Sequence, residues 1–84
     1  MPEEVIGKVI KFFGRPMVAA VDLTQGGLKV GDEVRFLGHT TDFETTVSSI
    51  QEEHRDLEEA RTGQRVGLKV PEKAREGDIV IKLT

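Results

Sequence analysis

Two histidines, His39 and His54, two adjacent serines, Ser48 and Ser49, and two glycines, Gly26 and Gly31, are the residues of this 84-residue chain whose types and spacing raise the question of chemistry. A serine nucleophile needs a histidine and an acid beside it. Ser48 and Ser49 fall instead where an irregularity in a strand accounts for them. A zinc site wants three or four ligands. His39 has only Asp42 and Glu44 near it in sequence and reads as a solvated surface histidine. The chain has no cysteine, so thiolate sites and disulfides are excluded. Gly26 and Gly31 have the glycine spacing of a phosphate-binding loop, but Asp32 stands where that loop requires lysine, and a carboxylate there repels phosphate. No catalytic constellation emerges, and no metal, nucleotide or other cofactor is expected.

Charge narrows the reading further. Twelve Lys and Arg face fifteen Asp and Glu, a formal net charge of -3. Such a balance argues against tight, sequence-independent binding to phosphate backbones. Arg55, Arg61, Arg65 and Lys69 would form a stripe, but Glu52, Glu53, Asp56, Glu58 and Glu59 interleave with it. There is no Tyr or Trp to stack on bases, and the four phenylalanines mostly fit core positions. No apolar run approaches the ~20 residues of a membrane-spanning helix. The N-terminal Met-Pro-Glu-Glu does not open a secretory signal, so a cytoplasmic setting is expected.

The elements that must position these residues read as strands. Val5 to Phe13, Met17 to Leu23, Glu33 to Leu37, Phe43 to Gln51, Gln64 to Val70 and Asp78 to Leu83 are rich in β-branched and aromatic residues and are separated by Gly- or Pro-containing breaks. Leu28 to Val30 is a short extended piece. Val34 and Phe36 alternate against Glu33, Arg35 and Leu37; Val66, Leu68 and Val70 share a face, as do Ile79, Ile81 and Leu83. Ile50 falls on the opposite face from Phe43, Thr45 and Val47 unless a bulge near Ser48 and Ser49 returns it inside. Glu52 to Thr62 reads as a polar corner pinned by Leu57, with a single helical turn as the alternative.

One short pattern occurs three times: Lys29-Val-Gly-Asp-Glu-Val34, Arg75-Glu-Gly-Asp-Ile-Val80 and, more loosely, Arg61-Thr-Gly-Gln-Arg-Val66. Each predicts the same strand-entry turn, with glycine at a positive φ and the next residue's side chain bonding a nearby backbone N–H. Six strands with such corners predict an all-β domain, a small antiparallel barrel rather than an open sandwich.

The order of Gly7-Lys-Val9, Leu28 to Val34, Thr45-Thr-Val47, Leu57, Thr62 to Leu68 and Gly77-Asp-Ile-Val80 resembles the second domain of translational GTPases, the barrel of elongation factor Tu and its relatives. The resemblance runs from about Gly7 to Leu83. It implies a closed, six-stranded antiparallel barrel of the translation-protein type, here as a single domain without the GTPase motif. The same barrel also occurs as an accessory domain, for example in the C-terminal part of some collagenase-like peptidases. In elongation factor Tu it contacts the 3′ aminoacylated end of tRNA, partly through residues just after the fourth strand. The matching positions are Gln51, Glu52, Glu53, His54 and Arg55. The family has an acid followed by a basic pair, whereas this chain has Gln51, two acids, then His54 and Arg55, offset by one or two positions.

The first strand adds a second candidate surface. By strict alternation Val5, Val9 and Phe13 share one face while Ile6, Ile10 and Phe12 share the other. Since only one face of a barrel strand is inside, Ile6, Ile10 and Phe12, with some of Val18, Leu37 and Val80, would form an outer patch for a protein partner or a second copy. The reading is therefore a non-catalytic binding module contacting RNA, ribosomal machinery or a protein partner, with an accessory enzyme domain or a structural homo-oligomer as the alternatives.

Overall fold

The three repeated turns set the frame of the molecule. In a computed structural model that describes residues 3–83, each has the same construction. The backbone N–H of its fourth residue donates to the carbonyl of its first, for Asp32 to Lys29, Gln64 to Arg61 and Asp78 to Arg75, each at 3.1 Å. In return that fourth side chain accepts the first residue's N–H, at 2.8 Å for Asp32, 2.6 Å for Gln64 and 2.7 Å for Asp78. The third residue, Gly31, Gly63 or Gly77, sits at φ 99°, 97° or 95°, the conformation a type II turn demands and a side chain resists. Each turn is also stitched to one buried residue of the core. Gly31 donates to the Val47 carbonyl, Gly63 to Leu23 and Gly77 to Val9, and the N–H groups of Val47, Leu23 and Val9 donate back to Asp32, Gln64 and Asp78. The expected turn chemistry is thus present, and it does more than start strands: it clamps three points of the core.

All regular structure among the described residues is β. The strands are β1 (Glu4–Phe13), β2 (Val18–Leu23), β3 (Leu28–Lys29), β4 (Glu33–Leu37), β5 (Asp42–Thr46), β6 (Ile50–Glu52), β7 (Arg55–Leu57), β8 (Glu59–Ala60), β9 (Arg65–Lys69) and β10 (Ile79–Lys82). Eight of them form one antiparallel sheet in the order β5-β4-β10-β1-β2-β9-β6-β7, and β3 and β8 form a separate ribbon. Among the described residues no helix is long and apolar enough to cross a membrane.

The expected closed six-stranded barrel is corrected by this topology. Phe43 to Gln51 is not one strand. It breaks at Val47–Ser49 into β5 and β6, which lie towards opposite ends of the sheet. Six strand spacings separate β5 from β6 in the sheet order, about 29 Å if the sheet were flat. The chain between Thr46 and Ile50 reaches at most about 14 Å. The sheet must therefore curl strongly, yet among the described residues no ladder joins β5 to β7 and the ring stays open. Ile50 is fully buried, as the expected irregularity at Ser48 and Ser49 requires. The Glu52–Thr62 corner contains β7 and β8 and no helical turn.

The concave side holds the core. Val34 and Phe36 of β4, Val66 and Leu68 of β9, and Ala19, Val21 and Leu23 of β2 are buried as alternation predicts. The Phe36 and Phe43 rings stack at 5.0 Å across the β4–β5 pair. Strand β1 departs from simple alternation. Its register shifts between Val5 and Gly7 against β10, and between Val9 and Lys11 against β2. Each bulge adds a residue to the inward spacing, so Ile6 and Val9 are buried and Phe12 packs on the same core. In β10 the expected face holds only at Ile81, which is buried. Val80, opposite Phe36, is fully buried, and Ile79, opposite Leu37, faces outward.

Candidate ligand-binding cleft

Two connections shape the most structured recess on the convex side. The first is the β6–β7 hairpin. The Glu52–Arg55 pair closes a two-residue loop in which Glu53 and His54 take φ 49° and 66°. Positive φ at both positions is the signature of a type I′ turn, normally given to Asn-Gly. The second is the β1–β2 connection, which ends at Met17 with φ 54°. Gln51, Glu52, Glu53 and His54 form one wall of the recess, Phe13 and Val18 the other, and Arg65, Val66 and Gly67 of β9 its base. All three positive-φ residues other than glycine among the described residues therefore flank this one cleft, which has a volume of about 310 Å³. Residues held in such conformations cluster where a site demands them.

The base is open because position 67 carries no side chain. A Cβ there would lie 3.0 Å from Val18 Cγ1. Phe13 is 43% exposed, so its ring is presented to solvent rather than buried. The ammonium of Lys11 lies 5.2 Å from the centre of that ring. The hairpin wall is braced: Gln51 Nε2 donates to Asp56 Oδ1 at 3.0 Å, and Gln64 Nε2 donates to Glu52 Oε2 at 3.1 Å. Gln64 is the side chain that also closes the second glycine turn, so the scaffold clamp and the cleft wall share a residue. The result is an apolar shelf with a polar rim carrying Glu52, Glu53, His54 and the cation Arg65. No grouping of three or more His, Asp or Glu that would hold a metal occurs among the described residues.

Four of the five hairpin positions singled out from the sequence, Gln51, Glu52, Glu53 and His54, line the cleft together. Arg55 is exposed but does not line it. The outer patch expected from β1 is corrected. Ile6 is fully buried in the core, Phe12 packs against that core, and Ile10 is half-buried at the second bulge. The exposed large apolar residues of β1 are instead Val5 and Phe13, and Ile79 of β10 is half-buried opposite Leu37. The sequence reading did not assign Phe13, Val18, Arg65 and Gly67 to the cleft.

The model of elongation factor Tu domain 2 matches residues 17–81. The chain belongs to this family. Among curated proteins it is 42% identical over 79 residues to an uncharacterized protease of Methanocaldococcus jannaschii, covering 93% of this chain and 19% of that protein. It is 39% identical over 74 residues to a collagenase of Porphyromonas gingivalis, covering 87% of this chain and 20% of the collagenase. The chain thus spans about a fifth of the length of these relatives. Among solved structures, the C-terminal domain of a candidate U32 peptidase of Geobacillus thermoleovorans superposes with a TM-score of 0.88 at 26% identity, over 96% of this chain and 93% of that one. GDP-bound aIF5B of Aeropyrum pernix superposes with a TM-score of 0.65 at 22% identity over 95% of this chain and 14% of its own, a likeness of fold. The same fold is therefore present in a segment of aIF5B and in the C-terminal domain of a candidate U32 peptidase.

Proposed function

We propose that this domain is a non-catalytic binding module, an accessory domain of the kind found at the C-terminus of U32-type peptidases, and that its cleft takes the single-stranded end of an RNA. The observation that carries the reading is the cleft itself: an exposed Phe13 and Val18 shelf over the bare backbone of Gly67, walled by Gln51 to His54. An unstacked base gains most from an apolar or aromatic shelf, and its edges gain specificity from amide and carboxylate groups held at the rim. Arg65 supplies one cation for the last internucleotide phosphate. The domain as a whole is acidic, so affinity comes from the end nucleoside rather than from the backbone.

Fluorescence anisotropy with a short oligoribonucleotide ending in CCA tests this. Binding is expected to weaken when the 3′ end is extended and when Gly67→Ala lifts a methyl into the shelf. The logarithm of the affinity is expected to fall with that of salt by a slope of about −0.7, the value for a single phosphate contact. Equal binding to blocked and free ends, or a steep salt slope, would contradict it.

A second reading has its own support. The identity to a named protease and a named collagenase favours a cleft that holds a polypeptide segment for a peptidase. Competition between the oligoribonucleotide and a denatured collagen peptide separates the two.

A further inference from the structure

The open ring leaves a second surface, away from the cleft. Strand β5 is paired on one side only, to β4. The hydrogen-bonded pairs of that ladder alternate. Gly38 donates to the Thr41 carbonyl and Val47 to the Asp32 carbonyl, so Phe43, Thr45 and Val47 turn their backbone groups towards β4. Asp42, Glu44 and Thr46 turn theirs outward, and among the described residues no backbone bond meets them. Across the gap lies the end of β9. Val70 donates to the Met17 carbonyl on the β2 side, and the β6–β9 pairing stops at Ile50 and Leu68. The backbone of Lys69 consequently faces the same gap. Between the two edges is a hollow of about 300 Å³ lined by Thr45, Thr46, Ser48, Lys69, Val70 and Pro71.

We propose that this gap is a β-addition site for an extended, basic peptide segment, which pairs with the free edge of β5. An added strand would make main-chain bonds to Asp42, Glu44 and Thr46, as peptides do on other exposed sheet edges. Its side chains would alternate. Those on the inner face meet Thr45 and the hollow beside Val70 and Pro71, which suits a small apolar residue. Those on the outer face meet the recess formed by Glu33, Glu44, Thr45 and Thr46. Neither Glu33 nor Glu44 has an ion-pair partner among the described residues, whereas Asp42 is already held by Arg35. The outer positions therefore call for Lys or Arg opposite Glu44. The same carboxylate disfavours a second copy of this chain. Antiparallel self-pairing that satisfies all three edge residues sets Glu44 against Glu44, and like charges directly opposed are destabilising.

The probe is an acetylated, amidated peptide of about eight residues, the length of an ordinary strand with its ends, alternating Lys and Val. It is titrated into the isotope-labelled intact chain, and amide exchange is followed by NMR. Exchange at Glu44 and Thr46 is expected to slow by about ten-fold or more on saturation, with Phe43 and Thr45 unchanged as internal controls of folding. Glu44→Lys, an exposed substitution, is expected to weaken binding roughly five-fold, and the matching Glu–Val peptide is expected not to bind. The proposal is overturned if Glu44 and Thr46 are not protected or if the Glu–Val peptide binds equally. Shifts confined to Gln51–His54 would overturn it in favour of a peptide in the cleft. Protection that rises with protein concentration alone would overturn it in favour of a second copy.

Discussion

Positive φ is used in two different ways in this molecule. At Gly31, Gly63 and Gly77 it is given to a residue that bears it without cost, and each of those turns is fixed by two bonds within the turn and two to one buried residue. At Glu53, His54 and Met17 it is imposed on residues with side chains. The glycine turns are scaffold: they lock Val9, Leu23 and Val47 in place. The strained turns flank one cleft, and in the hairpin the strain has a visible return. An Asn-Gly turn would form the same hairpin more easily, but it would remove the carboxylate and imidazole from the wall. The contrast teaches that stability is stored in the repeated turns and spent at the cleft.

The comparison can be broken most forcefully at the scaffold. Replacing Gly77 by Val puts a β-branched residue at φ 95° and is expected to destabilise the domain by about 2 kcal/mol. This would lower Tm by roughly 10 °C for a chain of this size, read by circular dichroism. Next is the buried side chain that closes the same turn. Asp78 is 3% exposed and accepts the Arg75 N–H, so Asp78→Ala is expected to cost about 1–2 kcal/mol in urea titration, and Asp78→Asn, which keeps an acceptor, markedly less.

At the cleft the sign is expected to reverse. The double variant Glu53→Asn with His54→Gly relieves both strained positions and should raise stability by about 0.5–1 kcal/mol while weakening binding of the RNA end. A loss of stability there would mean the two kinds of turn are not different in kind.

The smallest effect belongs to the surface. Arg35 and Asp42 form an ion pair with two nitrogen-to-oxygen bonds of 2.8 Å. The hydrogen bond and charge of Arg35 hold the Asp42 carboxyl below its ordinary value. A carboxyl lowered on folding stabilises the native state above its unfolded value, near pH 4, and that contribution disappears as pH falls through the folded value. Asp42→Asn should therefore leave Tm nearly unchanged at pH 7, as exposed pairs do, and slightly flatten its decline below pH 4.

Much of this architecture was legible in the sequence because it is local. The Gly-Asp and Gly-Gln turns depend on residues within four positions of each other, and the alternation in β4 and β9 needs no knowledge of neighbours. The faces of β1 and part of β10 depart from strict alternation for a non-local reason. Two bulges in β1 and the pairing of Val80 with Phe36 are set by partner strands, and they move Ile6 and Val80 inward. The open ring arises likewise from the break at Val47–Ser49, which sends β5 and β6 to different parts of the sheet. Half of the cleft, Gln51 to His54, was legible through the family resemblance. Phe13, Val18 and Gly67 were not, because they come from three separate strands and each alone reads as ordinary strand sequence. The signal available at Gly67 was a glycine inside a strand, which marks a close approach or an open base.

The most direct test of the account is an NMR titration of the labelled chain with a CCA-ended oligoribonucleotide at low and high salt. Saturable shifts centred on Gln51–His54, Arg65 and Gly67 that persist at high salt are the predicted result. No shifts even at low salt, or shifts scattered over Lys and Arg that vanish as salt is raised, would contradict it.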